Sequence, residues 1–369
     1  MEKIKFVDLK AQYIQIKDEM DKAIKDVIDN TAFIMGKNVS EFEKEFSEFC
    51  KSKYCIGVSN GTTALLIALK SAGIGEGDEV ITSPNTFIAT TEVITLCGAK
   101  IKFVDVDPKT YNLDPAKIKD AITPNTKAII PVHLFGQPCE MDKIVELAQE
   151  NNLIIIEDCA QAHGAEFLGQ KMPFSDIGCF SFFPGKNLGA YGDAGGIVTN
   201  HDKILQYASA WRNHGRFPGQ KYEHNFEGMN ERLDALQGAI LRVKLKHLDQ
   251  WTENRRENAK LYNELLNNVG DVITPFESEN VKHVYHLYVI RTNKRDELQE
   301  YLKKNDIPCG IHYPIPLHLQ PAYEYLNLKE GSFPITEECA KTMLSLPMCP
   351  ELTKEQISYI VGKIKEFFS

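Results

Sequence analysis

Hydrophobic and polar positions in the first two-thirds of the chain alternate between two patterns. Short runs that are apolar on both faces are separated by longer segments in which apolar residues recur at helical spacing. Short apolar runs bounded by turn residues are typical of buried strands, whereas longer periodic segments are typical of amphipathic helices. The pattern predicts strands at Glu79–Thr82, Ile101–Val106, Ala128–Leu134, Leu153–Glu157, Cys179–Phe183 and Gly196–Thr199.

Helices are expected in the gaps between these strands. One begins after Ser59-Asn60-Gly61, another covers Met141–Asn151, and Ser40-Glu41-Phe42-Glu43 predicts a capping box that opens a third. Alternating strands and helices indicate an α/β fold with a mostly parallel sheet sandwiched by helices. In such sheets ligands bind beyond the carboxyl ends of the strands, and Asp158 lies at one of these ends.

The remainder of the chain predicts a second unit. Residues 232–266 read as one long helical stretch, which would bridge the two units. Val284–Thr292 predicts a strand, and Thr353-Lys354-Glu355-Gln356 predicts the cap of a last helix. We therefore expect a large domain at residues 1–245, with an N-terminal helical segment, and a smaller α+β domain at residues 246–369.

Composition narrows the classes of function. The 369 residues carry a formal net charge of −9, which argues against nucleic acid or an anionic membrane as a partner. No apolar run approaches the ~18 residues of a membrane-spanning helix, and the first residues lack the apolar core of a secretory signal. Nine cysteines without a C-x-x-C pair are typical of free thiols in a reducing compartment, so we expect a cytoplasmic protein.

The strongest chemical signal is the spacing of an aspartate and a lysine. Asp158 follows the apolar run Ile154-Ile155-Ile156, and Lys186 follows the next strand on a Gly-Pro loop 28 positions later. An aspartate can keep the ring nitrogen of pyridoxal 5'-phosphate (PLP) protonated, and a lysine with a lowered pKa can form a Schiff base with its aldehyde. The ordinary alternatives are a solvated lysine and a helix-capping acid.

Two further features match a phosphorylated aromatic ring. Ser59-Asn60-Gly61-Thr62-Thr63 opens a helix, where unpaired N–H groups and the helix dipole favour a phosphate, although the same composition is that of an ordinary N-cap. Ser181 would add a hydroxyl, and Phe87 would stack on the ring, although an aromatic residue near a strand end is more often part of the core. No metal site is predicted, because the histidines lack ligand spacing: His133, His163, His214 and His312.

Taken in order, these motifs resemble the sugar aminotransferases of the DegT/DnrJ/EryC1/StrS family along nearly the whole chain. The resemblance is carried by Phe6-Val7-Asp8-Leu9, Ser59-Asn60-Gly61-Thr62, Pro84-Asn85-Thr86-Phe87, the segments 157–164 and 180–187, Arg212-Asn213-His214-Gly215, the segment 228–234 and His312-Tyr313-Pro314. It implies PLP fold type I, the fold of aspartate aminotransferase, with PLP as cofactor. It also implies that Lys186 forms the Schiff base, Asp158 holds the ring nitrogen and Gln161 contacts the ring hydroxyl.

The resemblance assigns the remaining cofactor contacts as well. Phe87 would stack on the ring face. Gly61, Thr62 and Ser181 would hold the phosphate. Asn230 would reach the phosphate of the neighbouring subunit, so two complete active sites at the subunit interface would need a homodimer.

The implied reaction is transamination of a nucleotide-linked keto sugar with L-glutamate as amino donor. Residues 313–323 look most like the branch that converts a dTDP-3-keto-6-deoxyhexose to its 3-amino sugar in deoxyamino sugar biosynthesis. A 4-keto sugar linked to dTDP or UDP is the alternative substrate. A PLP-binding regulator without turnover is the alternative of another class. Some relatives carry histidine in place of the lysine and are dehydratases, and Lys186 argues against that chemistry.

Several residues are expected on the substrate side of the site. These are Phe183, Arg212, His312 and Tyr313. The candidates for the cation that would bind the sugar diphosphate are Arg212, Arg216 and Lys221. The alternative is that these residues form a solvated basic cluster without a ligand.

Overall fold

The computed structural model describes residues 3–369. The helices, numbered α1 to α13 in chain order, are Leu9–Gln15, Lys17–Asp29, Lys37–Cys50, Gly61–Ala72, Ala89–Leu96, Pro115–Ala121, Met141–Glu150, Asp202–Trp211, Ala235–Leu245, Leu248–Leu266, Arg295–Lys304, Pro334–Thr342 and Lys354–Phe368. The strands, numbered β1 to β13, are Tyr54–Val58, Glu79–Thr82, Lys100–Phe103, Thr126–Ile129, Ile154–Ile155, Glu157–Asp158, Glu166–Phe167, Gln170–Lys171, Ile177–Ser181, Gly195–Thr199, Val281–Lys282, Tyr288–Arg291 and Met343–Leu346. Short 3-10 helices lie at Leu134–Gly136, Leu317–Leu319 and Pro321–Leu326.

Two four-stranded ladders form the central sheet. One has the order β3-β2-β4-β5 and is parallel throughout. The other has the order β6-β9-β10-β1, in which β6 is parallel to β9 and β10 is antiparallel to both of its neighbours. A parallel bridge between Val132 and Asp158 joins the two ladders. The predicted mostly parallel sheet is therefore confirmed, with β10 as its antiparallel member.

Side chains of the sheet enter two cores, one on each face. In β9, Cys179 packs in the core that contains α4 and α5, whereas Phe180 packs in the opposite core with Phe42 and Phe46 of α3. Because successive side chains of a strand point to opposite faces, a strand covered on both faces is apolar throughout. Helices cover both faces of the sheet, as the sequence predicted.

A separate core lies in the C-terminal part of the chain. It is formed by α10, α11, α13 and the antiparallel pair β12 and β13. The predicted capping box of α13 is confirmed, since the side chains of Thr353 and Gln356 each accept a hydrogen bond from the other's backbone N–H. Ile4 is buried in this same core, so both ends of the chain contribute to it. The helix α9 ends at Leu245, the expected limit of the large domain, and the two-domain division itself stays a prediction.

Two helix predictions are wrong. Residues 232–266 form two helices rather than one, because α9 packs on α2 and α3 while α10 packs on α13. Because of this break, the side chains of one continuous apolar pattern pack in two different cores. The capping box at Ser40 is also wrong, because α3 begins earlier, after Gly36, and the Ser40 hydroxyl bonds the carbonyl of Lys37 inside the helix.

Several predicted strands extend past the observed ones, as Ile101–Val106 does because β3 ends at Phe103, and two of them lie close together. The strand predicted at Ala128–Leu134 ends at Ile129, and the strand predicted at Val284–Thr292 begins only at Tyr288. The residues just after the first segment bond to the start of the second, since the N–H of Val284 donates to Gly136 and that of Leu287 donates to Phe135. This contact joins the C-terminal part to the edge of the sheet where the predicted site residues lie.

Candidate active site

A cavity of about 690 Å³ lies at the carboxyl ends of β6 and β9, beside the first turn of α4. Its volume is that of a site for a small organic molecule, roughly 300 to 1,000 Å³. The cavity is lined by most of the residues predicted for the site: Gly61, Thr62, Phe87, Asp158, Gln161, Ser181, Phe183, Lys186 and Tyr313. Chain segments far apart in sequence supply these residues, so the fold brings them together at one edge of the sheet.

Lys186 lies on a tight loop beyond β9. Its N–H donates to the carbonyl of Phe183 at 2.8 Å, and the next residue, Asn187, donates its side-chain amide to the carbonyl of Val284 at 3.0 Å. Although the residue as a whole is half-buried, desolvation of its amine lowers the pKa of Lys186 to about 8, and the negative charge of Asp158 opposes this effect. With that pKa, roughly a quarter of the lysines are uncharged at pH 7.5, as a nucleophilic amine requires.

Asp158 is a buried carboxylate, 6% exposed, at the end of β6. Burial raises its pKa, while two donors counteract that effect. The hydroxyl of Thr90 donates to Oδ2 at 2.8 Å, and the N–H of Ala160 donates to Oδ1 at 3.1 Å. Within residues 3–369 this carboxylate forms no salt bridge. A buried carboxylate without an ion-pair partner in contact is costly, so the position suits a cationic ligand group.

The first turn of α4 lies beside Ser181. The Asn60 side chain caps the helix by accepting the N–H of Thr63 at 2.8 Å, and within the described chain the N–H groups of Gly61 and Thr62 have no partner. A Cβ atom on Gly61 would lie 2.6 Å from the Cβ of Ser181, so only glycine allows the two segments to approach this closely. Free N–H groups at a helix N-terminus form a site for a phosphate.

Gln161 presents a fixed amide to the cavity. Its Oε1 accepts the N–H of Phe135 at 2.6 Å, which leaves Nε2 as a donor, 3.4 Å from the hydroxyl of Tyr313. The ring of Tyr313 lies 5.9 Å from that of Phe87, centroid to centroid, and Phe87 is 55% exposed. An exposed aromatic ring in a cavity wall offers a face for a flat ligand.

The chemistry of these residues fits PLP. The N–H groups of α4 and the Ser181 hydroxyl would take the phosphate, Asp158 the protonated ring nitrogen, and Gln161 the ring hydroxyl. Lys186 would bond to the aldehyde carbon. When bound, PLP supplies an electron sink for chemistry at a carbon that bears an amino group.

Comparison with known families decides the identity of the chain. The model of the DegT/DnrJ/EryC1/StrS aminotransferase family matches residues 14–365. The chain belongs to this family. The predicted resemblance, fold type I and the PLP cofactor are thereby confirmed, and the chain is an aminotransferase.

Individual relatives cover nearly the full length of the chain. "Pleiotropic regulatory protein" of Geobacillus stearothermophilus is 48% identical over 99% of this chain and 98% of that protein. UDP-N-acetyl-3-dehydro-alpha-D-glucosamine 3-aminotransferase of Acidithiobacillus ferrooxidans is 43% identical, covering 98% and 97%. dTDP-3-amino-3,4,6-trideoxy-alpha-D-glucose transaminase of Streptomyces venezuelae is 40% identical, covering 99% and 96%. The crystal structure of S. venezuelae DesV in complex with a ketimine intermediate superposes with a TM-score of 0.98 at 39% identity, covering 100% of this chain and 99% of that one.

In the present chain, the side chain of Arg212 does not line the cavity. Its guanidinium is buried, contacts the carboxylate of Glu43 and donates to the carbonyl of Gly57 at 2.6 Å, so it ties α3 to β1. The expectation that Arg212 faces the substrate is therefore corrected. Arg216 is engaged as well, through the carbonyl of Lys221 and the side chain of Asn213, each at 2.8 Å.

Two further predicted residues lie outside the cavity wall. Asn230 is exposed, and its backbone pairs with that of Asn213. Its expected contact with the phosphate of a neighbouring subunit stays a prediction. His312 lies next to Tyr313, and its Nδ1 is 2.8 Å from the hydroxyl of Ser345. It therefore contacts β13 rather than the cavity.

A buried group with the residue types of a metal site lies next to Asp158, formed by His133, Glu157 and Cys159. The carboxylate of Glu157 accepts the Nε2 proton of His133 at 2.8 Å, because the Nδ1 atom of His133 accepts the N–H of Cys139 at 3.1 Å. Burial raises the pKa of the Cys159 thiol well above its ordinary value, so the thiol keeps its proton. Both ring nitrogens are occupied, and the group acts as a hydrogen-bonded support for β6.

Sequence reasoning missed Thr90, which holds the carboxylate of Asp158. Thr90 lies in the first turn of α5, three residues beyond Phe87. A threonine in a helix carries no signal of its own, and only its hydrogen bond to Asp158 reveals its role. The spacing from Phe87 would have been the one available hint.

Proposed function

We propose that the protein is a nucleotide-sugar aminotransferase that moves an amino group from L-glutamate to a dTDP-linked 3-keto-6-deoxyhexose. In the first half-reaction glutamate gives up its amino group and leaves as 2-oxoglutarate. In the second half-reaction the sugar ketone takes the amino group and loses its oxygen as water. The observation that carries the proposal is that one cavity holds a lysine amine of lowered pKa, Lys186, and a buried carboxylate that forms no salt bridge, Asp158.

Each residue has a defined task in this proposal. The uncharged amine of Lys186 removes the proton from the carbon that bears the amino group, and it returns a proton in the second half-reaction. Asp158 stabilises a positive charge on the ring nitrogen of the cofactor. The amide of Gln161 and the N–H groups of Gly61 and Thr62 hold the cofactor in place, so the reacting carbon stays beside Lys186.

The choice of a sugar ketone at carbon 3 rests on the relatives. The A. ferrooxidans and S. venezuelae relatives are both named for an amino group at position 3, one on a UDP sugar and the other on a dTDP sugar. Phe183 and Tyr313 line the cavity and are proposed to contact the hexose. The alternative is a 4-keto sugar linked to dTDP or UDP.

We also propose a homodimer with active sites at the subunit interface. Leu96 lines the cavity and is 63% exposed, so the cavity has an apolar rim that a second copy would cover. Asn230 is exposed outside its own cavity, as expected for a residue that serves the neighbouring site. Mixing a Lys186→Ala protein with an Asn230→Ala protein tests this. Each mixed dimer would hold one intact site and one doubly mutated site, so an equal mixture with random subunit exchange should regain about a quarter of the wild-type activity.

The proposed reaction is tested by absorbance in two steps. L-Glutamate should convert the spectrum of the PLP enzyme to that of the pyridoxamine phosphate enzyme. After the donor is removed, dTDP-3-keto, dTDP-4-keto and UDP-3-keto sugars are offered separately. Reversal with the dTDP-3-keto sugar alone supports the proposal, and reversal only with another sugar overturns the substrate. Lys186→Ala is the control and should show no conversion.

The name of the G. stearothermophilus relative supports the alternative of a PLP-binding regulator without turnover. A regulator without turnover would bind PLP but would not change its spectrum with glutamate. The set Lys186, Asp158 and Gln161 lining one cavity favours turnover. If glutamate converts all of the PLP enzyme to the pyridoxamine phosphate form, the hypothesis of a regulator without turnover is excluded. An unchanged PLP spectrum would support that hypothesis.

A further inference from the structure

Two buried threonines hold the carboxylate of Asp158. Thr90 donates its hydroxyl proton to Oδ2 of Asp158 at 2.8 Å, and Thr86 lies 3.0 Å from the Thr90 hydroxyl. Both threonines are buried. An ionised carboxylate can only accept, so the single proton of Thr90 is committed to Asp158 and Thr86 must donate to Thr90. The result is a directed hydrogen-bond chain from Thr86 through Thr90 to Asp158.

We infer that Thr90, oriented by Thr86, is a positioning residue that keeps the Asp158 carboxylate ionised and correctly aimed for the ring nitrogen of the cofactor. The inference rests on the proposed role of Asp158 in the aminotransferase reaction. Burial works against the charged carboxylate, and hydrogen-bond donors work for it. The described donors are Thr90 and the backbone N–H of Ala160, and of these only Thr90 acts through a side chain.

Other ionisable groups surround Asp158 and contribute to its field. Lys186 on the loop beyond β9 and His133 beyond β4 favour its ionised form. The remaining neighbours are Glu157 and Cys159 in the same segment, Cys179 in β9 and Tyr313 from the C-terminal part. Within residues 3–369 none of these side chains donates a hydrogen bond to Asp158. Their effect on the ionisation of Asp158 is therefore the same in the wild type and in variants of Thr90.

The same short segment also carries Phe87, which lies between the two threonines in sequence and lines the cavity. A movement of residues 86–90 would therefore shift the proposed stacking ring and the support of Asp158 together. This links the orientation of the carboxylate to the position of the ring face.

The test measures affinity for pyridoxamine 5'-phosphate, which lacks the aldehyde and cannot bond covalently to Lys186. Binding to apoenzyme is followed by equilibrium dialysis between pH 5 and pH 9. Protonation of Asp158 competes with binding of a cationic ring, so affinity falls as the pH falls. In Thr90→Val the loss should begin about one pH unit higher than in the wild type, because one hydrogen bond to a charged group is lost. Below both midpoints the affinity should differ about tenfold.

Matched variants separate this role from loss of packing. Thr91→Val removes the same group from the next residue of α5, where the hydroxyl bonds the carbonyl of Ile88 and the hydroxyl of Tyr323 outside the cavity. It should follow the wild-type profile, as should Thr90→Ser, which keeps the hydroxyl. Thr86→Val should shift the profile in the same direction as Thr90→Val but by less, and it serves if Thr90→Val fails to fold.

The outcomes distinguish the inference from the function on which it rests. A Thr90→Val profile that overlays that of Thr91→Val overturns the role of Thr90. Asp158→Asn should lose the fall in affinity at low pH. If Asp158→Asn binds with the wild-type profile, the proposed role of Asp158 fails, whatever Thr90 does.

Discussion

The lowered pKa of Lys186 leads to a quantitative prediction for the enzyme without cofactor. Lysine reacts with acylating reagents only as the uncharged amine, and an ordinary lysine has a pKa of 10.5 whereas Lys186 has a pKa of about 8. At pH 7.5 the uncharged fraction is therefore roughly a quarter for Lys186 and roughly 0.1% for an ordinary lysine. The ratio of these fractions is on the order of 200. Burial also lowers the pKa of Lys244 to about 8, but Lys244 is only 1% exposed and out of reach of the reagent, so Lys186 should be the most reactive lysine of the apoenzyme.

Competitive labelling with trace acetic anhydride measures this pKa directly. Apoenzyme is labelled between pH 6 and pH 10, and peptide mass spectrometry compares Lys186 with the exposed Lys22 in the same digest. Labelling of Lys186 should reach half its maximum near pH 8. In Asp158→Asn the midpoint should fall further, because the negative charge of Asp158 raises the pKa of Lys186. A midpoint near pH 10.5, or a higher midpoint in Asp158→Asn, would refute the reasoning.

Two further predictions concern Gly61 and Arg212. Gly61→Ala should weaken binding of pyridoxamine 5'-phosphate at least about tenfold, because its Cβ would lie 2.6 Å from that of Ser181, whereas the control Gly75→Ala meets no atom closer than 3.9 Å and should bind normally in the same dialysis assay. Arg212→Met should lower the free energy of unfolding by about 3 to 5 kcal/mol in urea titrations, because Glu43 would lose its partner, and adding Glu43→Gln should recover part of the loss. A raised KM for the sugar with unchanged stability would instead restore Arg212 to the substrate side.

The fold was predictable where buried strands make a continuous apolar signal. The strand Glu79–Thr82 has the predicted bounds, and the helix after Asn60 begins where its cap indicates. The pattern fails where a segment pairs outside a ladder, as Val284 and Leu287 do by donating to the carbonyls of Gly136 and Phe135. It also cannot show that one apolar stripe, at residues 232–266, is divided between two cores.

The site was predictable where the required chemistry lies at a strand end. A lysine and an aspartate at the ends of buried strands have few other roles, and the structure brings Lys186 and Asp158 to one cavity. Arg212 was misjudged because nothing in the sequence pairs it with Glu43, far away in α3. Thr90 was missed because its significance depends on a single contact across the fold. Chemical type is visible in a sequence, whereas the partner that occupies a side chain is not.

The junction between α9 and α10 has a consequence for recombining members of this family. Lys186, Asp158 and the first turn of α4 precede the junction, whereas Tyr313 follows it and still lines the same cavity. A chimera joined at this point would take Lys186 and the first turn of α4 from one parent. It would take Tyr313, an aromatic residue of the cavity wall, from the other. The interface to preserve is broad, because Leu134 and Phe135 share a core with Leu287 and Val289, and Asp105 accepts hydrogen bonds from the backbone of Ile335 and Thr336. A working chimera therefore needs matching residues on both sides of this shared core, and the N-terminal residues around Ile4 have to come from the parent that supplies the C-terminal core.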